Sequence, residues 1–398
     1  MAAVTTGMEN ALEHQGEKPS KAKPRKLPVV KGKPLFPPTK EGTVPAKEAQ
    51  NHASIERDIH MRFWAEKMLA GRTLTVEGSQ IRISPPLNLQ GPEAPPWTAP
   101  NVATLEYVEM LTATEKMGAP SFAIPVGPLD FGGSCPGSVA GMTTSPRGAY
   151  ERQKKRVLQV LRATNPGLPV PHDYRPSEAV CSSCYVTGGN HGYLPNTARM
   201  VARYAWTRAA VLGGFFVPTM INIIRAASYP AEPAGIGLNQ RYFRIHDAGD
   251  FYHPKYLQAW HDIAAAFTGS TDGNPRTVFW APTRIWATEW GDGAMRAING
   301  GANFLENFVV RPSAYIIDAP GPEYPIGPAS GYAAPTVVAR KPMIDAVLDG
   351  RVRAVFDWSC PAQALGDGAC LSSPNPMGGT GCRVCWIAPS WRTAYGLH

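Results

Sequence analysis

The chain predicts an α/β protein built on parallel β-strands, as a (β/α) barrel or a barrel-like parallel sheet. It adds a Cys-rich metal knuckle near the C-terminal end and a disordered basic tail at the N-terminal end. Three observations lead there. Short apolar runs alternate with helical patterns over residues 119–358, as βα units require. Four cysteines ending in C-x-x-C follow them, and a Lys/Pro block occupies the first fifty residues. With 398 residues, 43% of them apolar, the chain can bury a sizeable core. Four parts result: a tail (1–50), a helical and proline-rich connector region (51–118), an α/β catalytic domain (119–358) and a four-cysteine metal-binding segment (359–398).

Taken in order, residues 18–40 hold eight basic residues and no acid, with six prolines between them. That composition resists helix and sheet and leaves an extended, solvated arm, suited either to binding phosphates or to solubility alone. Ile55, Ile59, Phe63, Trp64 and Met68 have helical spacing. A proline-rich connector follows at 84–100. Strands are expected at 241–246, 277–281, 307–311, 314–318, 336–340 and 353–358, with helices at 254–267 and 343–348.

Composition narrows the function. Glycine (39) and proline (40) make up about a fifth of the chain, above the usual roughly 12%, so loops are abundant. Charged residues are only 18%, which argues against a coiled coil. The most apolar stretch, 209–224, is sixteen residues long and contains Gly213, Gly214 and Pro218. It is shorter than the roughly 20 residues of a membrane span. The N-terminus has no apolar signal region, so seven cysteines point to reduced thiols or metal ligands and to the cytoplasm. A net charge of +8 suits a nucleic-acid partner. No P-loop, dinucleotide glycine motif, H-E-x-x-H or G-x-S-x-G is present.

The cysteines form two groups. Cys360, Cys370, Cys382 and Cys385 can hold one tetrahedral Zn²⁺ or a 4Fe-4S cluster; the bland alternative is four buried free thiols. Cys135 and the pair Cys181–Cys184 are three thiols wanting a fourth ligand. His191 closes a zinc site, and His172 is a further candidate; leaving the position open gives a four-iron cluster with one iron free for a ligand or S-adenosylmethionine. A redox C-x-x-C is the third possibility.

The sharpest polar cluster runs from Arg244 through His246, Asp247, Gly249 and Asp250 to His253. It follows a strand and precedes a helix opening on Pro254, the carboxyl edge where reacting groups collect in parallel folds. Asp250 and Asp247 are candidates for nucleophile and general acid or base, with one pKa raised by the other, and His246 and His253 are candidates to tune them or bind a metal. The bland alternative makes Asp250 a helix cap and His246 a core histidine. Arg244, Trp280 and Arg284 are candidate substrate-binding residues, since Arg284 ends an apolar run and Trp280 offers a stacking face. Arg311, Ser313 and Trp286 stand at similar strand ends. The basic run Arg147, Arg152, Lys154, Lys155, Arg156 and Arg162 tracks a nucleic-acid backbone or forms a solvated face.

Cys135-Pro-Gly, Cys181-x-x-Cys184-Tyr185, the stretch from Arg244 to Phe251 with Tyr256, Leu257 and Trp260, then Phe279-Trp280, Thr283-Arg284 and Cys382-x-x-Cys385-Trp386 together resemble the phage gene product 88 family over roughly residues 120–390. By similarity of setting, the resemblance implies an enzyme modifying phage DNA in the host cytoplasm. The form expected is similar to the DNA-guanine transglycosylases related to tRNA-guanine transglycosylase. These exchange guanine for a 7-deazaguanine base of the preQ0 type and so evade restriction. On that reading the partners are DNA and the 7-deazaguanine base, with one or two Zn²⁺ and Asp250 attacking the sugar. Two other readings stand beside it: an iron–sulfur, radical-type enzyme using Cys135, Cys181 and Cys184, and a non-catalytic zinc-knuckle nucleic-acid-binding protein.

Overall fold

The computed structural model describes residues 46–90, 102–114, 119–141, 147–165, 170–175, 178–187, 193–227, 232–233, 239–269, 276–300, 304–319 and 321–326, with short strands at 331–333, 336–339, 358–359 and 393–396. The basic tail, the expected helix at 343–348 and nearly all of 353–358 lie outside the described residues.

Helix α1 (Ala46–Leu69) is followed by β1 (Thr73–Glu77), β2 (Gln80–Asn88), β3 (Thr104–Glu109), β4 (Thr112–Thr114) and β5 (Ala119–Ala123). Then come α2 (Arg147–Thr164), α3 (Leu194–Leu212), α4 (Phe216–Ala226), β6 (Glu232–Pro233), β7 (Asn239–Ala248), α5 (Pro254–Ala265), β8 (Arg276–Thr283), α6 (Gly291–Asn299) and β9 (Phe308–Pro312). β7, β8, β9 and α5 stand where the apolar runs place them.

The main sheet has the order β4-β5-β7-β8-β9, with β6 beside β7. β5, β7, β8 and β9 are parallel neighbours, while β4 and β6 are antiparallel additions. β8 shows why a parallel centre reads as a continuous apolar run: six of its eight residues are buried and the other two half-buried. The expected barrel does not close among the described residues. No ladder joins β9 to β4, and the antiparallel β4 caps one edge, so the sheet is open. Short strands near the C-terminal end pair separately, Thr336–Ala339 and Trp358–Ser359 each lying parallel to Thr393–Gly396.

One face of the sheet carries the main core. Trp260 of α5 stands at its centre, with ring centroids 5.6 Å from Phe122, 5.7 Å from Phe216 and 5.7 Å from Phe243. Edge and tilted contacts of this kind bury large apolar area with favourable ring electrostatics. The other face carries a smaller cluster of Ala119, Tyr242, Val278, Trp280 and Val309. The apolar stretch 209–224 is broken into α3 and α4 at Gly213 and Gly214; the latter takes a left-handed φ of 76° that glycine adopts freely. No helix among the described residues is long and apolar enough to cross a membrane.

Two expectations are corrected. The connector region contains a three-stranded antiparallel sheet, β1-β2-β3. Pro85 and Pro86 conceal β2 in the sequence, yet they sit exposed where its register with β3 slips, one of the few places a strand tolerates proline. Residues 314–318, expected as a strand, form a turn with one isolated bridge, Ile316 to Ala179. They are buried as a strand would be, but beneath the cysteine-bearing segment: Val180 N–H donates to Tyr315 O (2.9 Å) and Ile317 N–H to Glu178 O (2.8 Å).

Candidate functional site

The carboxyl ends of β5, β7, β8 and β9 lie side by side, so the loops that follow them meet. Ile124 N–H donates to Ala248 O (3.1 Å), tying the first loop to the end of β7. Gly249 then turns with φ 92°. A Cβ there would lie 2.5 Å from Ile124 Cγ1 and 2.6 Å from Ser134 Oγ, so space and conformation both demand glycine. Cys135 hangs from the same loop, its N–H donating to Gly127 O (2.9 Å). Arg62 of α1 supports that turn from behind, donating to Val126 O while paired with Asp58 at 3.0 Å, both side chains almost fully buried.

Asp250 joins the loops. Its peptide N–H donates to Ser134 Oγ (3.1 Å), and Ser134 Oγ donates to Pro125 O (2.7 Å). Its carboxylate accepts from Thr283 Oγ1 (2.5 Å), Phe251 N–H (2.8 Å) and Arg284 N–H (2.9 Å). Burial pushes the carboxyl up to about 6, against these three donors and the Arg284 charge, which favour the ionised form. The expected mutual effect of Asp247 is not among the causes; removal from water raises this group.

The third loop places Arg284. Its Nε donates to Ala314 O (2.7 Å) after β9, and its carbonyl lies where a Cβ on Gly137 would come within 2.6 Å. Its charge acts on Cys181, favouring the thiolate there. Trp286 Nε1 donates to Ser313 O (2.9 Å) and locks the neighbouring turn.

Cys135, Cys181 and Cys184 meet here. Each is partly accessible, and each of the latter two acts electrostatically on Cys135. Burial pushes all three thiols up, Cys184 to about 11; Asp250 adds to the rise at Cys135 and Cys181, while Arg284 opposes it at Cys181 and Cys184. With no cation added the thiols are neutral at neutral pH, and a centre bringing positive charge would compensate their ionisation. Among the described residues no three His, Cys, Asp or Glu side chains are grouped as ligands of a metal ion. A single tetrahedral zinc needs its sulfurs within roughly 4 Å of one another.

The other expected residues lie elsewhere. A step of two residues along β5 matches a step of four along β7, Ser121 lying opposite Arg244 and Ala123 opposite Ala248, so the pairing carries an irregularity there. A bulge of this kind re-aims side chains. Asp247 therefore meets Arg244, three residues away, at 3.0 Å, and the Arg244 guanidinium lies 5.1 Å from the Trp280 ring centroid on the face away from α5. His246 turns instead into the aromatic core, 3.2 Å from Tyr256 Oη and 4.6 Å from the Phe251 ring. Burial, helped by Arg244, lowers it to about 3, so it is neutral. Its Nδ1 is buried without a hydrogen-bond partner. His253 caps α5, its Nδ1 accepting from Lys255 N–H (3.1 Å), so the cap falls to it rather than to Asp250. Cys360, Cys370, Cys382, Cys385 and His191 lie outside the described residues.

Ser134 escaped the sequence reading, although the glycines before it in Gly132-Gly133-Ser134-Cys135 mark a tight turn. So did Arg203, buried on α3 and donating to Glu109 O (2.9 Å) and Ala123 O; burial lowers its guanidinium to about 10.

A family model described as Gene product 88 matches residues 98–386, which span β3 through the closing C-x-x-C. No curated protein and no solved structure matches the chain.

Proposed function

This chain belongs to the gene product 88 family, whose description carries no activity, and from that premise we propose an iron–sulfur enzyme in which Cys135, Cys181 and Cys184 hold a four-iron cluster with one iron left open. The observation that carries this reading is the meeting of three thiols, from segments over forty residues apart, at the carboxyl edge of a parallel sheet beside the half-buried Arg284. That edge is where parallel α/β enzymes assemble their reaction centres. When bound, such a cluster supplies electrons and an open iron for a heteroatom of substrate or cofactor. The chain's own residues give the crevice its rigidity. Asp250, with every donor around it satisfied, ties three loops together, and Gly249 lets the first two touch.

Anaerobic purification with iron and acid-labile sulfide analysis tests the reading. A brown protein with both elements is expected, losing them in Cys181→Ser and Cys184→Ser. Colourless protein carrying only zinc, or retention of iron in both variants, overturns it.

The DNA base-exchange reading stands second, favoured by the buried Asp250 carboxyl at about 6. Release of labelled guanine from DNA, abolished in Asp250→Asn, is its expected result. DNA as a partner in either case is supported by Arg152, Lys155 and Arg162, exposed along α2.

A further inference from the structure

We infer that the outward side of α2 is the docking surface for the sugar–phosphate backbone of a single nucleic-acid strand, beside the crevice at the carboxyl edge. The inference rests on the nucleic-acid partner named above and says where that partner lies. Helix α2 holds six Lys or Arg residues against one acid, Glu151. Helices α1, α5 and α6 are balanced instead, with four of each sign, one of each and one of each. Mixed charges keep a surface soluble, so a merely solvated helix has no need of this excess.

The cations of α2 are sorted by direction. Lys154 and Arg156 turn to its flanks, where Lys154 pairs with Asp173 and Arg156 with Glu289 at 3.3 Å. Arg152, Lys155 and Arg162 are exposed, and among the described residues no carboxylate pairs with them; Arg162 donates to the carbonyls of Pro171 and His172. With Gln159 they recur every three or four residues and so share one side of the helix. From Arg152 to Arg162 the row is about 15 Å long at 1.5 Å per residue, the length of roughly four phosphates of one strand at 3.4 Å each. One row of cations over that length follows one strand.

The inward side of the helix ties this row to the crevice. Gln153 Nε2 donates to Gly137 O (2.8 Å), directly behind the Cys135-Pro136 pair. Glu289, the partner of Arg156, follows the turn that Trp286 locks after β8. A strand held on α2 therefore lies beside two of the loops that form the crevice. Phosphate contacts carry no sequence information, so this face positions a strand without choosing its bases.

Fluorescence anisotropy of the whole chain with labelled single-stranded DNA of mixed sequence, titrated at several salt concentrations, tests the inference. Arg152→Gln/Lys155→Gln/Arg162→Gln is expected to weaken binding about tenfold or more at physiological salt. The steepness of log Kd against log salt should fall by about 2, near 0.7 for each lost phosphate contact. Arg82→Gln/Arg208→Gln/Arg276→Gln removes as many charges from other elements and should keep the wild-type steepness. Equal losses in the two variants, or full binding by the α2 variant, overturn the inference while the nucleic-acid partner stands. Polyglutamate displacing the strand as readily as unlabelled DNA of equal charge assigns the face to an acidic protein and overturns it too. Wild type that leaves the strand unbound overturns the inference and the partner together. Circular dichroism checks the fold, and Arg152→Gln/Lys155→Gln, with an expected loss of steepness of about 1.4, replaces the triple variant if that does not fold.

Discussion

The β1-β2-β3 sheet and the crevice at the carboxyl edge use the same residue types under opposite conditions. In the sheet, Arg82 pairs with Glu77 at 3.2 Å and Glu106 at 3.5 Å, with all three side chains more than 40% exposed. Water and salt screen such pairs, and they contribute little. In the crevice Asp250 is 5% exposed and receives three hydrogen bonds, while Arg284 Nε donates to the Ala314 carbonyl. There each missing partner leaves a desolvated group behind. The comparison teaches that a charge's importance follows from its access to water rather than from its residue type.

Two glycines give the largest expected contrast. Gly249 and Gly78 both have left-handed backbones, φ 92° and 63°, but an added Cβ at Gly78 meets nothing within 4 Å. Gly249→Ala should cost about 3 kcal/mol or more, combining conformational strain with displacement of Ile124 and Ser134. Gly78→Ala should cost about 1 kcal/mol from conformation alone. Urea unfolding of the two variants measures both, and equal losses would break the contrast.

Asp250→Asn comes next. The amide presents N–H where Thr283 or Arg284 already donates, so a loss of about 2–3 kcal/mol is expected at pH 7.5. A loss under about 0.5 kcal/mol in the same unfolding measurement would show that the carboxylate is not the tie between the loops.

His246 sharpens the comparison through pH. Its folded pKa is lowered to about 3 from an ordinary 6.5. Above 6.5 both states are neutral there and its contribution is fully present. Below 6.5 the unfolded chain takes up a proton that the folded protein refuses, so stability falls by about 1.4 kcal/mol per pH unit down to the folded value. Asp250 runs the other way between 6 and its ordinary 3.8, because its folded pKa is raised. The informative quantity is therefore the difference between wild type and His246→Gln, which keeps a polar partner for Tyr256 without titrating. The stability of wild type relative to His246→Gln should fall by about 2 kcal/mol as pH falls from 6.5 to 4.5; parallel stability curves would contradict a buried neutral histidine.

The smallest effect belongs to the exposed sheet. Arg82→Ala should change stability by less than about 0.5 kcal/mol in low salt, and by less still in high salt.

The parallel strands were legible in the chain because a strand buried on both faces must be apolar, as 277–281 and Phe308–Val310 are, while 241–246 carries Tyr242, Phe243 and Ile245 between its basic residues. Helix α5 was legible from its 3.6-residue spacing and Pro254. The three thiols and Arg284 were each visible as residue types at suggestive places, yet their meeting was not. Cys135 reaches Cys181 across α2, a contact between residues distant in sequence that no local pattern encodes.

By itself, then, the sequence determined that 241–246, 277–281 and 307–311 become strands, that 254–265 becomes a helix and which residue types stand at those strand ends, because burial and backbone geometry act locally. Only the tertiary structure decided that β7 carries an irregularity, which separates Asp247 from Asp250 and turns His246 into the aromatic core. It also decided that Arg284, rather than a second aspartate, stands beside the thiols. Register and loop convergence depend on which strand lies beside which, and that is settled only when the sheet assembles.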